Sequence, residues 1–188
     1  VCDRIHALIS NTSALTDSPV DCGRFRPRLV NMHLGIRIAL CVIVAEFLGS
    51  LGGIITAGSV GGWYASLQPP PGTPPNAVFG PVWGTLYALI GLAFALVWHH
   101  VPAGPEKRRA FRWFAVQAVL NLIWTPVFFG AHQLGLSLLV ILALFVTIAI
   151  TIHFFRKLHR IAGWLLVPYL LWVAYATYLN GGFFFLNR

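Results

Sequence analysis

Long apolar stretches without charged side chains constrain this chain more than any other feature of its sequence. Residues 38–105 contain one charged side chain, Glu46, and residues 113–155 and 161–187 contain none. A helix that crosses a membrane needs about 20 apolar residues, because each residue advances only ~1.5 Å along the helix axis. The stretches are long enough for several such helices, so the sequence predicts an integral membrane protein.

The composition supports this class and excludes others. Hydrophobic residues make up 57% of the 188 residues and charged residues only 10%, whereas a soluble domain carries about 25% charged residues. These values exclude a disordered chain and an ordinary water-soluble enzyme. The net charge of +8 could indicate a nucleic-acid partner, but the basic residues lie between the apolar stretches. Lipid headgroups and membrane topology account for them there, so we expect no nucleic-acid binding.

The apolar stretches predict helices rather than barrel strands. In a bilayer an unpaired backbone group costs several kcal/mol, so a spanning segment must be a helix or part of a closed barrel. The stretches are continuous and lack the alternation of barrel strands. We therefore predict an all-α membrane protein, a five-transmembrane-helix bundle in one domain over residues 33–188. The predicted spans lie at about residues 33–57, 77–99, 107–129, 133–155 and 161–179.

The first part of the chain has a different character. We interpret residues 1–32 as a polar, poorly ordered extension. It lacks the apolar segment of a secretory signal, and its three Asp residues disfavour an organelle transit segment. Cys2 and Cys22 could pair, although their spacing alone does not show it, and Cys41 lies in an apolar stretch. Because no Cys/His pattern has the spacing of metal ligands, we expect no metal site.

The distribution of basic residues predicts the orientation. With five spans, all but one of the 13 Lys and Arg residues fall on one side of the membrane, and the exception is Arg188. The positive-inside rule then places the amino terminus inside and the carboxyl terminus outside. An even number of spans would spoil this segregation. We prefer a bacterial cytoplasmic membrane, with the mitochondrial outer membrane as the alternative.

The connection between the first two spans is unusual. It is uncharged, and five of the residues between positions 69 and 75 are proline. Proline fixes φ and removes a backbone donor, so this stretch should form a stiff, partly polyproline loop. Trp63 and Tyr64, which precede it, suit the membrane interface. The loop is either a rigid connector or a lid over a cavity between the helices.

Aromatic and amide side chains recur at helical spacing on three spans. Each set lies on one helix face, and these groups are costly against lipid, so the faces should point into the bundle. They could serve as packing with polar contacts or line a pocket. Proline residues 126 and 168 also permit kinks in two of the spans. The three sets are Phe79, Trp83, Tyr87 and Ile90; Gln117, Asn121, Trp124 and Phe128; and Tyr169, Trp172, Ala176 and Asn180.

Glu46 is the one acidic side chain within a span. A carboxylate in the middle of the bilayer costs roughly 2.5 kcal/mol or more, so Glu46 should be neutral, paired or facing water. We regard it as a functional candidate, the alternative being a protonated side chain that hydrogen-bonds a neighbouring helix.

Three motifs in this order resemble the TspO/MBR family. They are WYASLQPPPGTPPNAVFGPVWGTLYALIG from position 63, NLIWTPVFFGAHQLG from position 121 and VPYLLWVAYATYLN from position 167. The resemblance covers about residues 34–180. It implies five transmembrane helices, a homodimer, and one ligand pocket beneath the first loop. Protoporphyrin IX or haem is the expected ligand, and the implied alternatives are sterols and synthetic small molecules.

The resemblance also implies roles for particular residues. Trp83 and Trp172 would flank the pocket, and Asn121 and Trp124 would line its wall. The small residue Ala176 would let the helices approach on the ligand side. Trp63, Pro74, Pro75 and Phe79 would form the lid and mouth of the pocket. One family element departs here, because sterol recognition needs a basic residue close after a tyrosine, and the next one after Tyr178 is Arg188.

Several functions fit these observations. A membrane sensor or carrier of tetrapyrroles is the leading hypothesis, because planar conjugated rings stack on Trp and Tyr. Light-dependent degradation of porphyrin, with Trp83 and Trp172 as the candidate catalytic residues, is the enzymatic alternative, since no conventional catalytic arrangement is present. A transporter of sterols or other small molecules is a further possibility, although we find no internal repeat. A structural scaffold is the fourth.

Overall fold

Helices account for most of the described chain, which comprises residues 26–187 of this computed structural model, with side chains from His33 to Asn187. Residues 1–25, and with them Cys2 and Cys22, lie outside the described residues, as does Arg188. The helices are α1 (Arg26–Val60), α2 (Trp63–Ser66), α3 (Asn76–His100), α4 (Pro105–Thr125), α5 (Leu134–Leu158), α6 (Arg160–Leu165) and α7 (Val167–Leu186), and a π-helical turn (Pro126–Gly130) continues α4.

Five segments of the described chain are long and apolar enough to cross a membrane. They confirm the predicted five-helix membrane bundle with its Pro-rich first loop. Four of them lie within a few residues of the predicted bounds, and the fifth extends seven residues further, to position 186 rather than 179. The segments are His33–Val60, Asn76–His100, Pro105–Gly130, Leu134–Leu158 and Arg160–Leu186.

The extension of the fifth span has a physical cause. Asn180, the first residue after the predicted span, is only 1% exposed. Its side chain accepts a hydrogen bond from Trp124 Nε1 at 3.1 Å and donates one to the carbonyl of Leu134 at 3.0 Å. Because the amide is satisfied by neighbouring helices, the helix continues through it.

Two of the prolines within the spans, Pro126 and Pro168, coincide with irregular backbone. At Pro126 the α-helical pattern of α4 gives way to the π-helical turn. Pro168 lies in the first turn of α7, directly after α6 has ended at Leu165. Proline cannot donate the backbone hydrogen bond that a continuous helix needs, so both changes follow from the sequence.

The packing is centred on α5. Helices α4 and α7 lie along it, and α3 contacts α6 and α7. One face of α5 is buried with helical spacing, at Ile141, Leu144, Ile148, Ile152 and Phe155. The buried face of α5 therefore supports the helices that carry the aromatic and amide side chains.

Helix α1 docks through glycines. A Cβ at Gly91 of α3 would lie 2.7 Å from the Cα of Val42, so the two backbones are nearly in contact. A Cβ at Gly49 would overlap the Tyr87 ring, and one at Gly52 would lie 3.2 Å from Thr125 Oγ1. Small residues allow helices in lipid to approach closely, and here they fix α1 against α3 and α4.

The proline loop, residues 67–75, is tied to α7. Tyr175 and Tyr178 donate hydrogen bonds to the carbonyls of Gly72 and Pro71, at 2.6 and 3.0 Å. The Asn187 side chain accepts from the backbone N–H of Gln68 at 2.8 Å and donates to its carbonyl at 3.1 Å. The loop is therefore held across the end of the bundle, which we call the loop end.

The opposite end, which we call the basic end, collects the described cations. The Arg37 guanidinium of α1 lies 5.2 Å from the ring centroid of Trp98, near the end of α3. Lys107 donates to the carbonyls of Trp98 and Val101 at 2.9 and 2.6 Å. The rings of His100 and His159 are 5.2 Å apart. These contacts join the end of α3 to Arg37 of α1, to the start of α4 and to the end of α5.

Candidate functional site

A chain of polar side chains crosses the middle of the bundle. Tyr87 of α3 donates a hydrogen bond to Asn121 Oδ1 at 2.9 Å, and Asn121 Nδ2 donates to the Tyr169 hydroxyl at 2.9 Å. Asn121 and Tyr169 are 7% and 1% exposed. We call these three residues the polar chain. It links α3, α4 and α7 and forms a floor between the two ends of the bundle.

Aromatic rings lie on the side of the polar chain that faces the loop end. The ring of Trp83 stacks on Tyr87 at a centroid distance of 5.4 Å and meets Tyr169 edge-on at 6.3 Å. Phe79 meets Trp172 edge-on at 5.9 Å. We call these five residues the outer aromatic site. Residues 79, 83 and 87 are each one helical turn apart, so the sequence places their rings in a column on α3.

A second cluster of rings, which we call the upper aromatic cluster, adjoins the outer aromatic site at Phe79. Trp63 contacts Phe128 at 5.9 Å and Tyr64 contacts Phe183 at 5.2 Å, measured between ring centroids. Phe128 also stacks with Trp124 at 5.4 Å. Burial in this cluster raises the pKa of Tyr64, and the nearby Tyr175 adds to the shift. The Tyr64 hydroxyl therefore stays neutral, as a position facing apolar rings requires.

Trp172 has an unpaired donor. Its indole Nε1 is buried and has no hydrogen-bond partner among the described residues. Leaving a buried donor unpaired costs about 1–3 kcal/mol. By contrast, the indole of Trp124 is paired with Asn180. The outer aromatic site thus offers a free N–H to any acceptor that a ligand brings.

The structure divides the predicted ligand-binding residues into groups. Phe79, Trp83, Tyr87, Tyr169 and Trp172 meet in the outer aromatic site, and the buried Ala176 lies one turn from Trp172 on α7. Trp63 and Trp124 belong to the upper aromatic cluster. Gln117 faces a cavity of about 330 Å³ on the basic side of the polar chain. Pro74 and Pro75 lie in the loop just before α3, where Pro75 is exposed.

Glu46 lies on α1, half-buried, three residues before Gly49, which faces the Tyr87 ring. Residues three apart share a helix face, so Glu46 lies on the side of α1 that meets α3. Its predicted role as an intramembrane functional acid stays a prediction.

Two polar contacts were not predicted from the sequence, although Asn180 itself was expected to face into the bundle. Asn180 fastens Trp124 to α7, and Ser59 Oγ donates to the Phe129 carbonyl at 2.6 Å, which joins the end of α1 to the π-helical turn. Asn180 stood on the predicted inward face of the fifth span, so its spacing was a usable signal. Ser59 offered no signal, because a single serine near a helix end is common on any surface.

Comparison with known proteins agrees with this architecture. The chain matches the TspO/MBR family over residues 39–186. It is 34% identical to the tryptophan-rich protein TspO of Archaeoglobus fulgidus over 81% of this chain and 97% of that protein. It is 41% identical to the human translocator protein over 63% of this chain and 70% of that protein. It is 36% identical to the tryptophan-rich sensory protein of Cereibacter sphaeroides over 71% and 84% of the two chains. With its five membrane-spanning helices, the chain belongs to the TspO/MBR family of integral, multi-pass membrane proteins.

Proposed function

We propose that this chain binds a tetrapyrrole, protoporphyrin IX or haem, between the proline loop and the polar chain, and acts as a membrane sensor or carrier of that pigment. The outer aromatic site supports the proposal because Trp and Tyr faces suit a planar conjugated ring. The bundle supplies these rings from two helices, α3 and α7, so a flat ligand could lie between them.

The observation that carries the proposal is the unpaired Trp172 Nε1. A tetrapyrrole brings carboxylate oxygens, which accept hydrogen bonds from indole N–H groups. Such a bond would remove the penalty for the buried donor and would orient the ligand. The other described acceptors near Trp172 do not meet this need, so a ligand is the natural source of one.

Entry of the ligand requires the proline loop to move. Trp63 and Tyr64 pack on the rings of Phe128 and Phe183, and Tyr175 and Tyr178 hold the loop by hydrogen bonds. The hydrogen bonds are exposed, and segments held by exposed bonds open locally at a lower free energy than the whole protein unfolds. We propose that the loop is a lid rather than a plain connector.

The test is a titration of the full chain in lipid nanodiscs with protoporphyrin IX and with haem, followed by tryptophan fluorescence quenching and pigment absorbance. We expect Trp172→Phe, which keeps an aromatic ring at this position but removes the N–H donor, to weaken binding roughly fivefold. This is the effect of losing one hydrogen bond. Trp83→Phe together with Trp172→Phe should weaken it tenfold or more, because ring stacking is also reduced.

The matched control is Trp164→Phe, which makes the same chemical change at an exposed position at the basic end, where Trp164 lies under the Arg156 guanidinium. It should bind as the parent does. If the double variant retains the parent affinity, the stacking proposal is wrong. Illumination of the bound pigment separates binding from chemistry, since light-driven degradation would yield a new bilin-like absorbance band and simple binding would not.

We also propose the orientation and the membrane. The cations at the basic end support an inside location for that end, and hence an outside location for the proline loop and carboxyl terminus. A bacterial cytoplasmic membrane is the preferred site, with the mitochondrial outer membrane as the alternative. The homodimer that the family resemblance implies stays a prediction.

A further inference from the structure

A separate cavity of about 330 Å³ lies on the basic side of the polar chain. It is bounded by the middle of α1 and the second halves of α3 and α4, and it shares only residues of the polar chain with the outer aromatic site. Its walls are almost entirely apolar. The residues that matter for its chemistry are Leu40, Val44, Phe94, Phe114, Gln117 and Ala118.

The cavity opens sideways. Leu40 and Val44, which line it, are 51% and 47% exposed, so its mouth lies along the outer surface of α1. Gly91, which closely approaches the backbone of Val42, is part of its lining, and the polar chain bounds the cavity toward the loop end. In a membrane this mouth faces hydrocarbon, so an occupant would arrive from the bilayer and not through the proline loop.

One polar group inside the cavity lacks a partner. Gln117 is 2% exposed, and its Oε1 atom has no hydrogen-bond partner in the described part of the chain. Asn121, one turn away on the same face of α4, has both ends of its amide paired with tyrosines. The lack of a partner is therefore specific to Gln117 and is not shared by the other amide on this face of α4. The buried oxygen carries a desolvation penalty that a hydrogen-bond donor would remove.

We propose that this cavity is a second binding site, which takes a neutral, single-chain lipophilic alcohol from the bilayer with its hydroxyl donating to Gln117 Oε1. A hydroxyl both donates and accepts, so it satisfies a glutamine amide in either orientation. A carboxylate or ammonium group would bring a charge between apolar walls at high cost. The volume is near the lower limit of small-molecule sites, ~300–1,000 Å³, which favours a slender chain over a multi-ring pigment.

The test uses the full chain in lipid nanodiscs and a long-chain alcohol that carries a photoreactive diazirine. After irradiation, the labelled residues are mapped by mass spectrometry, and labelling should fall on residues 40–48 of α1 and 114–122 of α4. Dodecanol should displace the probe roughly fivefold better than dodecyl methyl ether, which has the same chain but cannot donate a hydrogen bond.

Two variants make the test specific. In Gln117→Leu the advantage of the alcohol over the ether should disappear, while in the control Gln133→Leu, an exposed glutamine at the loop end, it should persist. Ala118→Phe should fill the cavity and abolish labelling there. Circular dichroism and thermal melting verify that each variant is folded.

Equal displacement by alcohol and ether in the parent would overturn the proposal, as would labelling that survives Ala118→Phe at the same residues. A site occupied by water alone would give no labelling in α1 and α4, which also contradicts it. Trp172→Phe should leave these results unchanged. The failure of this proposal is thus distinguishable from failure of tetrapyrrole binding.

Discussion

At the scale of single residues, one amide organises the middle of the bundle. Asn121 accepts from Tyr87 and donates to Tyr169, so a single side chain on α4 joins α3 and α7. All three residues are needed for the chain of bonds, and each end is a tyrosine hydroxyl that faces apolar surroundings. The amide therefore matters both for the stability of the bundle and for the floor of the outer aromatic site.

We expect Asn121→Leu to lower the free energy of unfolding by about 1–3 kcal/mol, because two interhelical hydrogen bonds are lost and two buried hydroxyls become unpaired. The measurement is thermal or denaturant unfolding in detergent or nanodiscs. In a background of Tyr87→Phe with Tyr169→Phe the same substitution should cost much less, since no hydroxyl remains to be paired. Equal costs in both backgrounds would show that the three residues do not act together.

At the scale of helices, α1 is held differently from the others. Helices α5 and α7 bury largely apolar faces, whereas α1 meets α3 and α4 at glycines. The closest point is Gly91, where the backbones of α3 and α1 nearly touch. This contact requires a small residue such as glycine, because close van der Waals packing contributes much of the free energy of helix association in lipid.

Gly91→Ala should therefore loosen α1. The new Cβ would lie 2.7 Å from backbone, and the resulting strain should lower the free energy of unfolding by about 1–3 kcal/mol. Gly84→Ala is the matched control on the same helix, because a Cβ there meets nothing within 4 Å. The control should be neutral or more stable by up to ~1 kcal/mol, the usual gain for alanine in a helix. The measurement is the free energy of unfolding of both variants under the same conditions. Equal stability of the two variants would contradict the proposed contact between Gly91 and α1.

The sequence predicted the helices well and their contacts in part. Hydropathy gave the five spans, and helical spacing placed Gln117, Asn121, Tyr169 and Asn180 on faces that are buried. Helical spacing could not show that the Asn121 amide is hydrogen-bonded while Gln117 Oε1 is not, although the two residues are one turn apart. The difference depends on which residues of α3 and α7 lie opposite each of them. The register between helices depends on packing across the whole bundle, which spacing within one helix does not contain.

At the scale of the whole molecule, the bundle is asymmetric from end to end. The basic end carries lysines, arginines and histidines on short connections. The loop end carries the uncharged proline loop, next to a cluster of aromatic rings. The basic end suits a surface with anionic lipids, and the loop end suits the admission of an apolar ligand. The two proposed sites fall on opposite sides of the polar chain, one reached past the loop and the other from the bilayer.

The proposed orientation is open to a direct test. In a variant whose native cysteines are replaced by serine, Ser66→Cys lies beside the proline loop and Arg160→Cys at the basic end, and both positions are exposed. A membrane-impermeant maleimide added to intact cells should label the first and not the second, and permeabilised cells should give both. The reverse pattern would invert the topology.

The contact between Asn187 and Gln68 has a practical consequence for anyone who handles this protein. The carboxamide of Asn187 holds both the backbone N–H and the carbonyl of Gln68, so the proline loop is anchored directly after the end of α7. Truncation after Leu186 would remove both hydrogen bonds and loosen the proline loop. Ligand affinities measured on a truncated chain would then include the effect of the loosened loop as well as the contacts in the binding site.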